Sequence, residues 1–338
     1  MRPGIWMAPL AACAIAASAR SAPRSVTGYV SVSAGDSSPY WTLADHIDCF
    51  TALAPTWLSY DAAGKLTDHS DRTFVRYAHA HGVKVTPLVA IGSGKPSEVA
   101  HALFADAGAA DHSASELLRS VKASGADGIN VDIEGVAHGD RGLYNAFVER
   151  LCKAFHADKL LVTLDLPGKD SDAPDEEWPG FADYAFLGRH ADQLQLMCYD
   201  EHWASGDPGP VGSLPWLRRV IAYAASVAPR SKVVLGVPFY GYDWPPAGPV
   251  ASVTGVQAEA LIAQHNAAPK WDADGESYWF QYPDVGSGAH KVYYETGRSL
   301  QARLDAANKA GIAGIAVWRL GDESAGLWAP LKRYRSGR

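Results

Sequence analysis

Gly125-Ala-Asp-Gly-Ile-Asn-Val-Asp-Ile-Glu-Gly135 is the stretch that decides the fold. From Asn130 onward polar residues alternate with Val131 and Ile133, giving Asn130, Asp132 and Glu134 a spacing of two. That period belongs to a β-strand, with the three polar side chains on one face, each about 6.5–7 Å from the next. Ile129, Val131 and Ile133 make the opposite face apolar. A strand of a parallel barrel meets both demands, because one face lies under helices and the other points to the interior. An amide and two carboxylates directed inward are costly unless they share protons and hydrogen bonds. Glu134 comes last, at the carboxyl end of the strand, where barrel enzymes carry their reactive groups. Asp132 beside it raises its pKa by like-charge repulsion, which suits a general acid.

The rest of the chain repeats the same unit. Short apolar or β-branched runs cover 26–33, 49–59, 84–92, 128–135, 160–167, 193–200, 232–243 and 314–320. Amphipathic stretches of helical length lie between them, over 70–81, 114–124, 139–156, 213–228 and 298–310. Gly82, Gly125 and Gly311 stand where helices stop before the next run. Eight strands alternating with helices predict an α/β fold, a (β/α)8 TIM barrel spanning about residues 26–334. One segment breaks the rhythm. Residues 245–295 hold a helix-like piece at 257–266 and two short strand-like runs at 277–282 and 290–294. They predict a small α+β insertion between strand 7 and the last barrel helices, walling one side of the barrel mouth.

Composition narrows the function classes. In 338 residues, 30 Lys and Arg face 37 Asp and Glu, a net charge of -7 that argues against a nucleic-acid partner. Hydrophobic residues at 47% and charged residues at 20% describe a folded chain with a large core, expected to act as a monomer. Residues 1–19, with Arg2, an apolar run from Ile5 to Ala17 and the small-residue site Ala17-Ser18-Ala19, read as a cleavable signal peptide. They are too short to span a bilayer, so no transmembrane segment is expected, and the protein is expected to be secreted or periplasmic. A second reading takes Leu10-Ala11-Ala12-Cys13 as a lipoprotein box with Cys13 lipidated. Cys49, Cys152 and Cys198 sit in apolar surroundings as small hydrophobes.

Other chemistries fail on inspection. Gly92-Ser-Gly-Lys95 lacks the first glycine of a phosphate loop, since position 89 is Val, and Pro96 replaces its hydroxyl residue. No two His are spaced i, i+4, so no metal site and no cofactor are expected. The chain contains no G-x-S-x-G elbow.

The 125–135 segment resembles the D-x-x-D-x-D-x-E signature of the family 18 glycoside hydrolases, with Asp127, Asn130, Asp132 and Glu134 at its four positions and Asn in place of the second Asp. Met197-Cys-Tyr-Asp-Glu-His-Trp203, Leu235-Gly-Val-Pro-Phe-Tyr-Gly-Tyr-Asp-Trp244 and Gly314-Ile-Ala-Val-Trp-Arg-Leu-Gly321 are also family-like. The resemblance runs from about Thr27 to Trp328 and is strongest to the branch of spore-cortex and peptidoglycan-lytic N-acetylglucosaminidases.

That resemblance implies retaining hydrolysis without a carboxylate nucleophile, the 2-acetamido group of the substrate attacking its own anomeric carbon. Glu134 would protonate the leaving oxygen and then activate water. Asp132 would hold the acetamido N–H. Asn130 would hydrogen-bond Asp132 and, being neutral, let it ionise more readily than a second Asp would. Asp127 would be structural. Tyr199 would bind the acetamido carbonyl, Asp200 would contact the sugar, and Trp318 would floor the central subsite. Tyr29, Trp57, Tyr240, Tyr242, Trp244 and Trp203 lie near strand ends as candidate cleft walls. The expected partner is an N-acetylated glycan, peptidoglycan ahead of chitooligosaccharides. A non-catalytic sugar-binding protein of the same fold is the alternative, and the presence of Glu134 beside Asp132 argues against it.

Overall fold

The computed structural model describes residues 24–31, 38–286, 288–321 and 323–337. The expected signal peptide and Cys13 lie outside them. The strands, in chain order, are β1 (Ser25–Val30), β2 (Ala52–Pro55), β3 (Leu58–Tyr60), β4 (Leu66–Asp68), β5 (Lys84–Val85), β6 (Leu88–Ile91), β7 (Gly128–Asp132), β8 (Leu161–Pro167), β9 (Gln193–Met197), β10 (Val233–Pro238), β11 (Tyr240–Trp244), β12 (Ala251–Thr254), β13 (Lys270–Asp272), β14 (Ser277–Pro283), β15 (Ala289–Tyr294) and β16 (Gly314–Trp318). The helices are α1 (Ser38–His46), α2 (Arg72–Ala80), α3 (Pro96–Phe104), α4 (Ala107–Ser124), α5 (Arg141–Ala157), α6 (Tyr184–His190), α7 (Leu214–Val227), α8 (Gly255–His265), α9 (Gly297–Ala310) and α10 (Trp328–Arg335).

The larger sheet closes on itself. From β6 the parallel ladder runs through β7, β8, β9, β10 and β16 to β1 and β2. β2 pairs with β5 and β3 with β6, which completes a TIM barrel of eight parallel staves. Two of the expected continuous runs are each split. The run over 49–59 breaks between β2 and β3, where the Trp57 N–H turns back to the Pro55 carbonyl at 2.9 Å. The run over 84–92 breaks at Pro87, which has no N–H for the ladder.

Alternation sorts the side chains as the sequence implied. Ile129, Val131 and Ile133 are buried on the outer face among Phe147, Leu151 and Leu117 of the covering helices. A smaller inner cluster joins Tyr29, Ala54, Leu88, Val234 and Ala316. The approach to β7 is shaped by two glycines. Gly125 ends α4 at φ 79°, a left-handed conformation that suits glycine, and its N–H closes on the Val121 carbonyl. At Gly128 a Cβ would stand 2.2 Å from the Leu161 carbonyl, so β7 and β8 approach as they do because position 128 has none.

The run over 232–243 is also two strands. β10 ends at Pro238, and Tyr240 already belongs to a second, five-stranded antiparallel sheet of order β12-β11-β15-β14-β13. With α8 this sheet builds its own core from Val253, Ala258, Phe280, Val292 and Tyr294. β12 and β13 carry no period-two signal long enough to read from sequence.

A buried ion pair fastens this second sheet to the barrel. Arg303 of α9 lies 3.3 Å from Glu295, just beyond β15, with side chains 0% and 3% exposed. The same guanidinium donates to the Gly212 carbonyl at 2.7 Å. Removing one partner strands the other charge, so Arg303→Met is expected to cost about 3–5 kcal/mol in urea unfolding, and adding Glu295→Leu to recover part of it.

Candidate active site

The carboxyl end of β7 gathers acids from three strands. Asn130 is fully buried, Asp132 is half-buried, and Glu134 reaches the solvent at the mouth. Asp165 comes in from β8, 5% exposed. In the β7–β8 register Asn130 lies opposite Thr163 and Val131 opposite Leu164, so Asp132 and Asp165 follow side by side.

Asn130 does not bond Asp132, contrary to expectation. Its Nδ2 donates to Thr163 Oγ1 and to Asp165 Oδ1, both at 3.0 Å. Thr163 is its lateral neighbour, closer than a residue two along the same strand, and the side chain of Asp165 reaches it diagonally from β8. The Tyr29 hydroxyl lies 2.5 Å from Asp165 Oδ1 and 2.6 Å from Gln195 Oε1. Tyr29 is therefore part of the barrel floor, 2% exposed, with its ring edge-on to Trp318 at 5.2 Å, and does not wall the cleft.

Electrostatics follow from the crowding. Burial holds the Asp132 carboxyl well above its usual range, and the charges of Asp165 and Glu134 push it further. The expectation that Asp132 ionises readily is reversed, first by burial and then by Asp165, which restores the like charge that Asn130 removes. Asp165 itself is pushed up to about 7 by burial, against the hydrogen bonds from Tyr29 and Asn130. Glu134 is raised by its partial burial and by Asp200 and not, as expected, by Asp132, whose hydrogen bond opposes the rise. Asp132 Oδ1 is buried and, among the described residues, without a hydrogen-bond partner. Tyr199, two residues beyond β9, feels the charges of Asp165, Asp132, Glu134 and Asp200 together.

Asp200 adopts φ 60° and accepts on one oxygen from the hydroxyls of Tyr240 at 2.5 Å and Tyr242 at 2.9 Å. A cavity of about 370 Å³ is lined by Asp200, Tyr240, Tyr242, Thr254 and Trp318. The structure thus brings together Asn130, Asp132, Glu134, Tyr199, Asp200, Tyr240 and Trp318. Trp57 is elsewhere. The turn between β2 and β3 swings it outward against Phe74 of α2, ring centroids 5.3 Å apart, 2% exposed. Trp203 stands half-exposed in the loop after β9 and does not line this cavity. Trp244 is buried, its Nε1 donating to the Gly206 carbonyl at 3.2 Å. Asp127, at the entrance of β7, accepts from the Val85 N–H at 2.8 Å and meets His79, a structural tie. Asp165 and Gln195 were missed by reading the sequence. The signal was present in Thr163-Leu-Asp165 and Gln193-Leu-Gln195, which alternate just as 130–134 does.

Comparison with known proteins agrees with this geometry. The family model described as glycosyl hydrolases family 18 matches residues 28–323. The uncharacterized glycosylase YvbX of Bacillus subtilis is 26% identical over 310 residues, 90% of each chain. The cortical fragment-lytic enzyme of Bacillus subtilis is 31% identical over 211 residues, 61% of this chain and 49% of that one. This chain therefore spans about half the length of that relative. Among solved structures, a chitinase from Chromobacterium violaceum superposes with a TM-score of 0.84 at 29% identity, covering 92% of this chain and 98% of the other.

The raised carboxyl of Asp165 sets a pH dependence of stability. A folded-state pKa of about 7 against 3.8 unfolded means that its contribution is full below pH 3.8 and is lost as pH rises toward 7. Melting temperatures measured across this range are expected to fall for the wild type relative to Asp165→Asn, with a gap of about a few degrees at the neutral end.

Proposed function

The chain belongs to the glycosyl hydrolases of family 18, and from that premise we propose that it cleaves β-1,4 bonds of N-acetylglucosamine-containing glycans by substrate-assisted catalysis, with peptidoglycan the favoured substrate and chitooligosaccharides second. The observation that carries the reading is the Asp132–Glu134 pair. Glu134 is the acid at the mouth, its pKa raised, in hydrogen-bond contact with a second carboxyl whose Oδ1 is buried and, among the described residues, unpartnered. A 2-acetamido N–H supplies the donor that Oδ1 lacks, and accepting it orients the acetamido oxygen toward the anomeric carbon. Attack by that oxygen gives an oxazolinium ion as Glu134 delivers its proton to the leaving oxygen. Glu134, now a carboxylate, draws a proton from water, which opens the ring with retention. Tyr199 faces all four acids and is placed to steady the acetamido carbonyl. Trp318 offers a flat apolar face to the sugar ring.

Peptidoglycan is favoured by the likeness to the cortical fragment-lytic enzyme, and chitin by the likeness to the chitinase. Mass spectrometry of products from purified peptidoglycan and from chitohexaose separates the two. The reading includes export by the segment over 1–19, which amino-terminal sequencing of the mature protein tests.

Two outcomes are expected of the chemistry. Glu134→Gln keeps the shape but cannot give a proton, so kcat is expected to fall about 10²–10⁴-fold or more with sugar binding kept. A variant retaining a third of wild-type turnover on a natural glycan overturns the assignment. Thiazoline analogues of N-acetylglucosamine are expected to compete with substrate, and glucosides with a 2-hydroxyl to resist cleavage; efficient hydrolysis of the latter refutes the acetamido nucleophile.

A further inference from the structure

Building on the glycosidase reading, we propose that Asp165 of β8 is a positioning residue that acts through Asp132, supplying from the side the carboxyl that Asn130 leaves out of β7. The register puts positions 132 and 165 next to each other on adjacent parallel strands. Such neighbours are about 4.8 Å apart, against about 6.5–7 Å for residues two apart on one strand. A carboxyl at 165 is therefore closer to Asp132 than one at 130 would be.

Asn130 serves this arrangement. Its amide donates at 3.0 Å to the carboxylate that takes its place. The Tyr29 hydroxyl, 2.5 Å from the same oxygen, has one proton and two acceptor neighbours, Asp165 and Gln195. A proton held on Asp165 completes that chain. The titratable groups around Asp165 are Tyr29 from β1, Asp132 from β7, Glu134 just beyond it, Tyr144 from α5 and Tyr199 after β9. None of these is a cation, so nothing among them offsets a charge on Asp165 except the donors Tyr29 and Asn130.

When Asp165 is ionised, its charge keeps the remaining proton within the Asp132–Glu134 pair. The proton rests on Asp132 in the empty enzyme. As the acetamido N–H arrives, Asp132 passes it to Glu134, becomes a carboxylate and accepts the N–H, and Glu134 carries the proton to the leaving oxygen. Without the Asp165 charge the pair loses this proton at lower pH.

The experiment compares wild type, Asp165→Asn and the swap Asn130→Asp with Asp165→Asn. The Asn side chain still offers an oxygen to Tyr29 and Asn130, and circular dichroism checks the fold. In kcat/KM profiles on a fluorogenic N-acetylglucosaminide oligomer, the basic limb of Asp165→Asn is expected to move down by about 2–2.5 pH units, the size of one like charge about 5 Å away at an effective dielectric constant of about 20. The swap is expected to move it back part of the way. Loss of activity at every pH with the limb unmoved shows Asp165 to be structural and overturns the proposal, as does a displaced limb that the swap leaves in place. Carboxyl ¹³C NMR titration of Asp-labelled protein needs no substrate. A lowered Asp132 midpoint in Asp165→Asn supports the coupling even if wild type cleaves none of these glycans, in which case the glycosidase reading alone falls. An unchanged midpoint overturns the coupling.

Discussion

The close lateral contact between β7 and β8 is the constraint on which the rest of the site depends. Gly128 against the Leu161 carbonyl lets the two backbones meet, and the register that follows delivers Asp132 beside Asp165. Two buried carboxyls at that range cannot both ionise without cost. The barrel meets the cost with donors drawn from elsewhere in the ring, Tyr29 from β1 and Asn130 from β7 itself. Both carboxyls remain raised all the same. The strain is local and sits at the carboxyl end of the strands, where a reacting sugar can use it. The outer layer of Ile129, Val131 and Ile133 packs the back of β7 into the core under the helices.

The barrel and the central acids were legible because a barrel strand buries both faces. Its sequence must then show an apolar set and a functional set in strict alternation, and residues 128–135 do. Strand breaks at 56–57 and 86–87 were not legible, since each half keeps the same apolar character. Asp165 was overlooked for a different reason. A sequence displays neighbours along a strand, while lateral neighbours appear only once the register is known. That is why Asn130 was matched to Asp132, two residues away, when its amide instead reaches across to Thr163 and Asp165. Aromatic residues near strand ends proved weak indicators. Tyr240 and Trp318 line the cavity, whereas Tyr29 lies beneath it and Trp57 faces the helices.

The second sheet belongs to the site as much as the barrel does. Only Phe239 separates β10 from β11, so the first strand of the insertion leaves the barrel directly at its mouth. From there Tyr240 and Tyr242 reach the same oxygen of Asp200. Asp200 holds a left-handed backbone conformation, which Asp tolerates better than most residues but which still needs support from its surroundings. The two phenols provide that support and fix where the charge of Asp200 stands. That charge is one of the causes that raise Glu134. The buried pair of Arg303 and Glu295 secures the far end of the same sheet to α9 and to the loop after β9. The position of the insertion is therefore linked, through two tyrosines and one aspartate, to the proton on Glu134.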